Sequence, residues 1–258
     1  MNRPTLAFCA AASLAALGAR AQAPAPVDSP TFATDRPAVA NSSVVVPEGG
    51  FQVESGFLAT DTGGGHVVDF PESNLRYGLL QKTELRLAVP DYFRGLSGDS
   101  AQATGFGDMA LGLKQQLGPL GGFDVSLIAF TSLPTGADQV SSHGYDPGVQ
   151  LPWSRTLTGA LTAGGQLASY WPTQNGRRNV TREATFFLDR QLSAPCDAFV
   201  EYAADFPQTG GSRQILHVGT AYKLAAHHQV DFHVAAGLSA AAPSSFVGFG
   251  YSYLFLRR

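Results

Sequence analysis

Past residue 21 the sequence has no apolar run approaching the roughly 18 residues that a membrane-spanning helix needs. Cysteine is almost missing: Cys9 and Cys196 are the only two, and Cys9 lies in an N-terminal stretch with the marks of a secretory leader. With one thiol left, the rest of the chain forms no internal disulfide, and Cys196 is expected to be a small apolar residue in a turn. Charged residues are sparse, at 14%, and a net charge of -3 supplies no basic face for nucleic acid. No Gly-Lys-Ser follows Gly105-Phe-Gly107, so no phosphate loop is expected. His143 follows Ser141-Ser142 in a Gly-rich loop, and His217 and His233 have no Ser two residues along, so no nucleophile with a base and an orienter is apparent. His227-His228 fall in a tight turn, where adjacent side chains diverge. No enzyme, metal or cofactor is therefore expected.

What is present begins with the leader. Arg3 gives a positive start, Leu6 to Leu17 is apolar and Ala-rich, and Ala19-Arg20-Ala21 is a small-x-small cleavage site. Residues 1–21 thus read as a signal peptide, with the mature chain starting at Gln22. Residues 22–49 are Pro- and Ala-rich without strong periodicity. They read as a flexible periplasmic segment, with a partial lumen plug as the alternative.

From Phe51 onward, apolar and polar residues alternate with the period of two that puts successive strand side chains on opposite faces. Phe51, Val53 and Phe57 oppose Gln52, Glu54 and Gly56; Leu75, Tyr77 and Leu79 oppose Asn74, Arg76 and Gly78; Leu111 and Leu113 oppose Gly112 and Lys114. The closing stretch sets Val247, Phe249, Tyr251, Tyr253 and Phe255 against Gly248, Gly250 and Ser252. An aromatic-rich row opposite tiny residues suits a strand facing lipid on one side. Without a spanning helix, a membrane chain must be a closed barrel, which satisfies every backbone group between strands.

About twelve such segments occur, an even number, each near the length a tilted spanning strand needs. Short turns at 80–83, 118–122, 156–158, 193–196 and 225–228 alternate with links at 61–66, 91–104, 134–147, 172–178, 207–212 and 239–244 that are mostly longer. Outer-membrane barrels have such tight periplasmic turns and larger outer loops. The expectation is an all-β, closed antiparallel transmembrane barrel over 50–258, in the bacterial outer membrane. Its partners would be membrane lipid, a small-molecule solute and the outer-membrane assembly machinery. A secreted soluble β-sandwich remains the alternative.

Thr34-Asp35-Arg36-Pro37, Val46-Pro-Glu-Gly-Gly-Phe-Gln-Val-Glu-Ser-Gly-Phe57, Leu75-Arg-Tyr-Gly-Leu79, Gly105-Phe-Gly-Asp108, Ser132-Leu-Pro-Thr-Gly136 and Phe246-Val-Gly-Phe-Gly-Tyr-Ser252 stand in this order along the chain. The ordered set resembles the transporter-type outer-membrane family named for the MetA pathway of phenol degradation. The resemblance covers nearly all the mature chain. It implies an outer-membrane barrel, with some members linked to uptake of aromatic compounds. The chain departs from common barrel practice by ending Phe255-Leu256-Arg257-Arg258 rather than in an aromatic residue.

Charges on the non-lipid faces are the candidate lumen residues: Glu54, Arg76, Glu84, Arg86, Asp108, Lys114, Asp124, Glu183, Glu201, Lys223 and Asp231. Lone charges there are costly, so these should pair or meet water. They read either as a salt-bridged scaffold or as a polar constriction that selects solutes. Arg76, Glu84 and Arg86 are expected to form a cross-strand network. Twelve strands lie between a filled eight-stranded barrel and an open porin, so the lumen should be narrow. Inward glycines, such as Gly164, Gly219, Gly248 and Gly250, either leave space or let strands bend. Passage of small solutes, including aromatic or sparingly soluble ones, is the function these features favour, with a structural or adhesive barrel as the alternative.

Overall fold

Alternation draws the strands into one antiparallel ring whose first and last members pair, which removes the open edges that lipid cannot solvate. The computed structural model of the protein describes residues 32–98 and 104–256. The leader expected over 1–21, and 22–31 of the segment after it, lie outside the described residues.

The first half contains β1 (Phe51–Asp61), β2 (Gly65–Phe70), β3 (Asn74–Leu80), β4 (Thr83–Ala88), β5 (Tyr92–Gly98), β6 (Gly105–Phe106), β7 (Met109–Leu120) and β8 (Phe123–Leu133). The second half opens with β9 (Pro147–Thr158) and β10 (Leu161–Tyr170), after which a small hairpin of β11 (Thr173–Gln174) and β12 (Arg177–Arg178) decorates one loop. It continues with β13 (Thr181–Ser193), β14 (Cys196–Pro207), β15 (Arg213–Ala225), β16 (His228–Gly237) and β17 (Ser245–Phe255). Twelve strands make the ring, in the order β1, β3, β4, β7, β8, β9, β10, β13, β14, β15, β16, β17. It closes where β17 pairs β1, from Phe51 opposite Phe255 to Asp61 opposite Ser245.

One sector of the wall is interrupted. β1 pairs β3 up to Glu54 and pairs β2 only from Leu58. Between β2 and β3 lie Pro71, which has no N–H to give a ladder, and Glu72 at φ 45°. Pro90 separates β4 from β5 in the same way. Single hydrogen bonds stitch the break: Gly56 N–H donates to Pro71 O (2.6 Å), Val89 N–H to Ser73 O (2.9 Å) and Gly107 N–H to Asp91 O (2.8 Å). Residues 92–98, expected as part of a loop, are instead β5, which pairs β2 from Gly65 opposite Gly98 to Phe70 opposite Tyr92. That pairing supplies partners to an edge of β2 that would otherwise be bare. Outside the break, the rings of Phe249, Phe57, Phe70, Tyr92 and Phe106 form a continuous row, with successive centroids 5.4, 6.4, 5.7 and 5.1 Å apart.

The inside–outside assignment follows the alternation, most plainly in β16 and β17. Leu111 and Phe249 are 49% and 58% exposed on the outer wall, whereas Glu54, Arg76, Glu84, Lys114 and Glu201 are 0% exposed on the lumen side. The polar core lies inside the ring, and the apolar surface faces outward.

Candidate functional site

The lumen is occupied. Residues 32–49, part of the 22–49 stretch expected as a flexible periplasmic segment with a partial lumen plug as the alternative, are folded inside the barrel as a loop, as that alternative has it. The reason is chemical. A ring of inward carboxylates and carboxamides needs hydrogen-bond donors, and an extended peptide with a free N–H at each non-proline residue supplies them.

Three lumen glutamates hold the loop by its backbone. Glu54 accepts from Asp35 N (3.0 Å) and Arg36 N (3.1 Å). Glu201 accepts from Val39 N (2.8 Å) and Ala40 N (2.9 Å), and Glu84 from Val46 N (2.8 Å). Gln166 Oε1 accepts from Asn41 N (3.1 Å) and Nδ2 (2.9 Å). Glu54 and Glu84 share one stretch of wall, β1 to β4, and Glu201 on β14 and Gln166 on β10 stand across the ring, so the loop is tied to more than one side.

Charges complete the anchorage. Arg76 donates to Glu54 Oε1 (2.7 Å) and to Glu84 Oε1 (2.7 Å) and Oε2 (2.9 Å), and its guanidinium also reaches the carbonyls of Ala33 (3.0 Å) and Val44 (3.3 Å). Asp35 sits among Arg86 (2.6 Å), Arg76 (3.5 Å) and Lys114 (3.6 Å). Burial pushes the Asp35 carboxyl up, but Arg76, Arg86 and Lys114 outweigh it and hold the group well below the usual carboxylate range. Arg36 reaches the wall beside β1, 2.8 Å from Glu72 in the break between β2 and β3 and 3.3 Å from Asp231 on β16.

Glycines make room for this. A Cβ on Gly250 would run into the Arg36 guanidinium, and one on Gly78 would run into the carbonyl of Pro47. A Cβ on Gly164 would meet the Phe187 ring. The inward glycines therefore seat the loop or a neighbouring ring against the wall, and the space they leave is taken.

The expected site residues divide accordingly. Arg76, Glu84 and Arg86 form one network, since Arg86 Nη1 also lies 3.1 Å from Glu84. Glu54 joins it directly at Arg76, and Lys114, Glu201 and Asp231 join it through the loop. Glu183 accepts from Gln166 Nε2 at 2.7 Å. Asp108 stands apart: it accepts from Gly136 N and Ser142 N, both at 2.9 Å, and so shapes the 134–146 loop rather than a passage. Those two amides hold its carboxyl below the usual range, against the upward push of burial. Lys223 pairs Asp197 at 3.6 Å near the short-turn rim, and Asp124 takes no ion pair among the described residues. Asp35, Arg36, Gln166, His217 and His233 were not among the expected site residues. His217 and His233 carried the signal in their parity, since both fall on inward faces of adjacent strands.

Cavities remain beside the loop. One, about 270 Å³, is lined by Phe32, Phe187, Phe199, Asp189, Asp197 and Lys223 among others. Another, about 330 Å³, lies behind the broken sector, against Glu72, Asn74, Arg86, Asp91 and Phe130.

The barrel is similar in fold to an outer-membrane channel from Pseudomonas putida F1, with a TM-score of 0.62 at 13% identity, over 83% of this chain and 98% of that one. It is similar also to the KdgM porin in complex with disordered oligogalacturonate, with a TM-score of 0.58 at 12% identity, over 79% and 99%. For the NanC porin the values are 0.55 and 9%, over 79% and 98%. At such identities the likeness is one of fold. No curated protein matches the sequence. The model of the family described as MetA-pathway of phenol degradation matches residues 34–255, a span that takes in the lumen loop together with all twelve ring strands, and the chain belongs to that family.

Proposed function

We propose that the protein is an outer-membrane channel for small solutes, aromatic or sparingly soluble ones included, and that residues 32–49 occlude it until displaced. The observation that carries this is the lumen loop itself, held by side chains of the wall and continuous with β1. A scaffold barrel would fill its interior with wall side chains alone. Here the filling is a segment that can leave without breaking a single strand pair. Its two ends lie toward the same rim, since Phe32 lines one cavity with Asp197 and Lys223 and residue 50 enters β1. That is the short-turn rim, which faces the periplasm. The family's name and the fold-level likeness to channels and porins support the solute reading. Two of the cavities beside the loop, about 270 and 330 Å³, lie on either side of the usual lower bound of ligand sites, about 300 Å³, which favours small cargo.

Planar-bilayer conductance of the full chain and of a variant lacking 32–45 tests this. The full chain should conduct weakly, and the variant should give a larger steady conductance and faster entry of small aromatic solutes into liposomes. Equal, negligible conductance from both would mean a structural barrel.

A further inference from the structure

Two of the loop's anchors, Glu201 and Arg36, are joined by a line of hydrogen bonds through a pair of histidines. Glu201 Oε2, which holds Val39 N, lies 2.9 Å from His217 Nδ1. His217 Nε2 lies 2.9 Å from His233 Nδ1, and His233 Nε2 lies 3.5 Å from Arg36 Nη2. The rings of Phe199 and Phe246 stand edge-on to His217, at 5.0 and 5.2 Å. His233 lies over Gly248, where a Cβ would collide with its Nε2.

Each joint of this line dictates its proton. Glu201 needs an N–H from His217 Nδ1. The gap between the rings needs one N–H, no more. Arg36 is all donor, so the nitrogen of His233 that faces it must carry none. The sum is two protons for the pair, with both rings neutral. A third proton has no place. On His233 Nε2 it sets an N–H against the guanidinium. In the gap it sets two N–H groups against each other. Either way the line breaks, and a positive imidazolium is then held beside Arg36.

The carboxylates in contact with the line are already committed. Asp231 and Glu72 are already committed to Arg36, and Glu201 to His217 and to two backbone amides. Asp69 and Asp91 lie near Glu72 and Arg36 at the broken sector, and the double variant below leaves their protons in place, so it separates them from those of the histidines. Asp35 and its three cations lie on the other side of the loop.

We propose that His217 and His233 are positioning residues that hold residues 36–40 in the lumen only while the pair carries two protons, so that mild acid releases the loop and opens the passage. This rests on the reading of 32–49 as the occluding element. The remaining histidines, His66, His143, His227 and His228, lie outside this line. The periplasm exchanges protons with the medium through the outer membrane, so the pair would sense external pH.

Conductance in planar bilayers is measured between about pH 7.5 and pH 5.5, the range in which histidine changes charge. Four proteins are compared: the full chain, the variant lacking 32–45, the double variant His217→Gln with His233→Gln, and Arg36→Gln. Opening that takes up one proton should raise the full chain's conductance by as much as about tenfold per pH unit. The deletion variant should conduct at both pH values without that rise, and a deletion variant that stays closed would refute the occlusion reading itself. A deletion variant that conducts beside a full chain flat in pH would instead overturn the histidine assignment alone. The double variant, which cannot take up the proton, should lose the rise; a rise as steep as in the full chain would overturn the proposal. Should the double variant fail to fold, Arg36→Gln decides. A carboxamide in place of the guanidinium can accept as well as donate, so the third proton finds a partner and the rise should flatten, whereas an undiminished rise would overturn the proposal.

Discussion

Replacing Arg76 with Met keeps the length of the side chain and deletes every donor. In the native barrel that guanidinium is 0% exposed and serves Glu54, Glu84 and the carbonyls of Ala33 and Val44. Without it, Glu54, Glu84 and Asp35 face one another with Arg86 and Lys114 as the nearby cations. Removing one partner of a buried charge pair costs about 3–5 kcal/mol, because the charges left behind are neither paired nor hydrated. Urea titration of the folded barrel in lipid, followed by the fluorescence of Trp153 and Trp171, should show a loss of about that size near neutral pH. A loss under about 1 kcal/mol, typical of an exposed pair, would refute the description of this cluster as dry and mutually dependent. The pH dependence separates charge from packing. The folded-state value of Asp35 is lowered, so its ion pairs stabilise the native chain above the ordinary carboxylate value of 3.8, and that contribution is lost as pH falls through the lowered folded value. In the variant the remaining carboxylates repel, and acid relieves them. The gap between native and variant should therefore narrow below about pH 4, and a constant gap would assign the loss to packing. The same substitution frees two carbonyls of the loop, so conductance should rise.

Gly250→Ala would press a methyl into the Arg36 side chain, whose far end can move, so the barrel should fold with native yield while conductance rises; unchanged conductance would argue that Arg36 does not hold the loop. Leu111→Arg puts a charge on the lipid face and should cost about 2–4 kcal/mol of stability in lipid, and a negligible cost would invert the inside–outside assignment. In a Cys196→Ala background, a cysteine at Ser141 in the 134–146 loop should react with an impermeant thiol reagent on intact cells, and one at Gly121 in the β7–β8 turn should not; the reverse pattern would turn the barrel over in the membrane.

Much of the wall was legible because its code is local. Leu75-Arg76-Tyr77-Gly78 places Arg76 inward by parity alone, and Glu84 and Arg86 share that parity one turn later. Their meeting needs only that neighbouring strands pair. Asp108 misled for a related reason. It continues the inward parity of β7, but it lies just before that strand begins, where the chain turns to meet the loop at Gly136 and Ser142. β5 was hidden because its partner β2 is short and separated from β3 by Pro71, so neither stretch shows a full spanning period.

The period-two pattern and the alternation of short and long connections determined by themselves that this chain closes into a barrel of twelve strands with a charged inner face. Those features repeat within each strand and express the chain's immediate preference for lipid or water. Only the tertiary structure decided what fills that inner face. Residues 32–49 carry little periodicity because their partners are spread around the whole ring, and an extended peptide needs no particular side chain to offer its backbone N–H groups. Glu54, Glu84 and Glu201, far apart in sequence, come to bear on one loop only after closure brings β1, β4 and β14 around it, and the proton line from Glu201 through His217 and His233 to Arg36 exists only once that loop is in place.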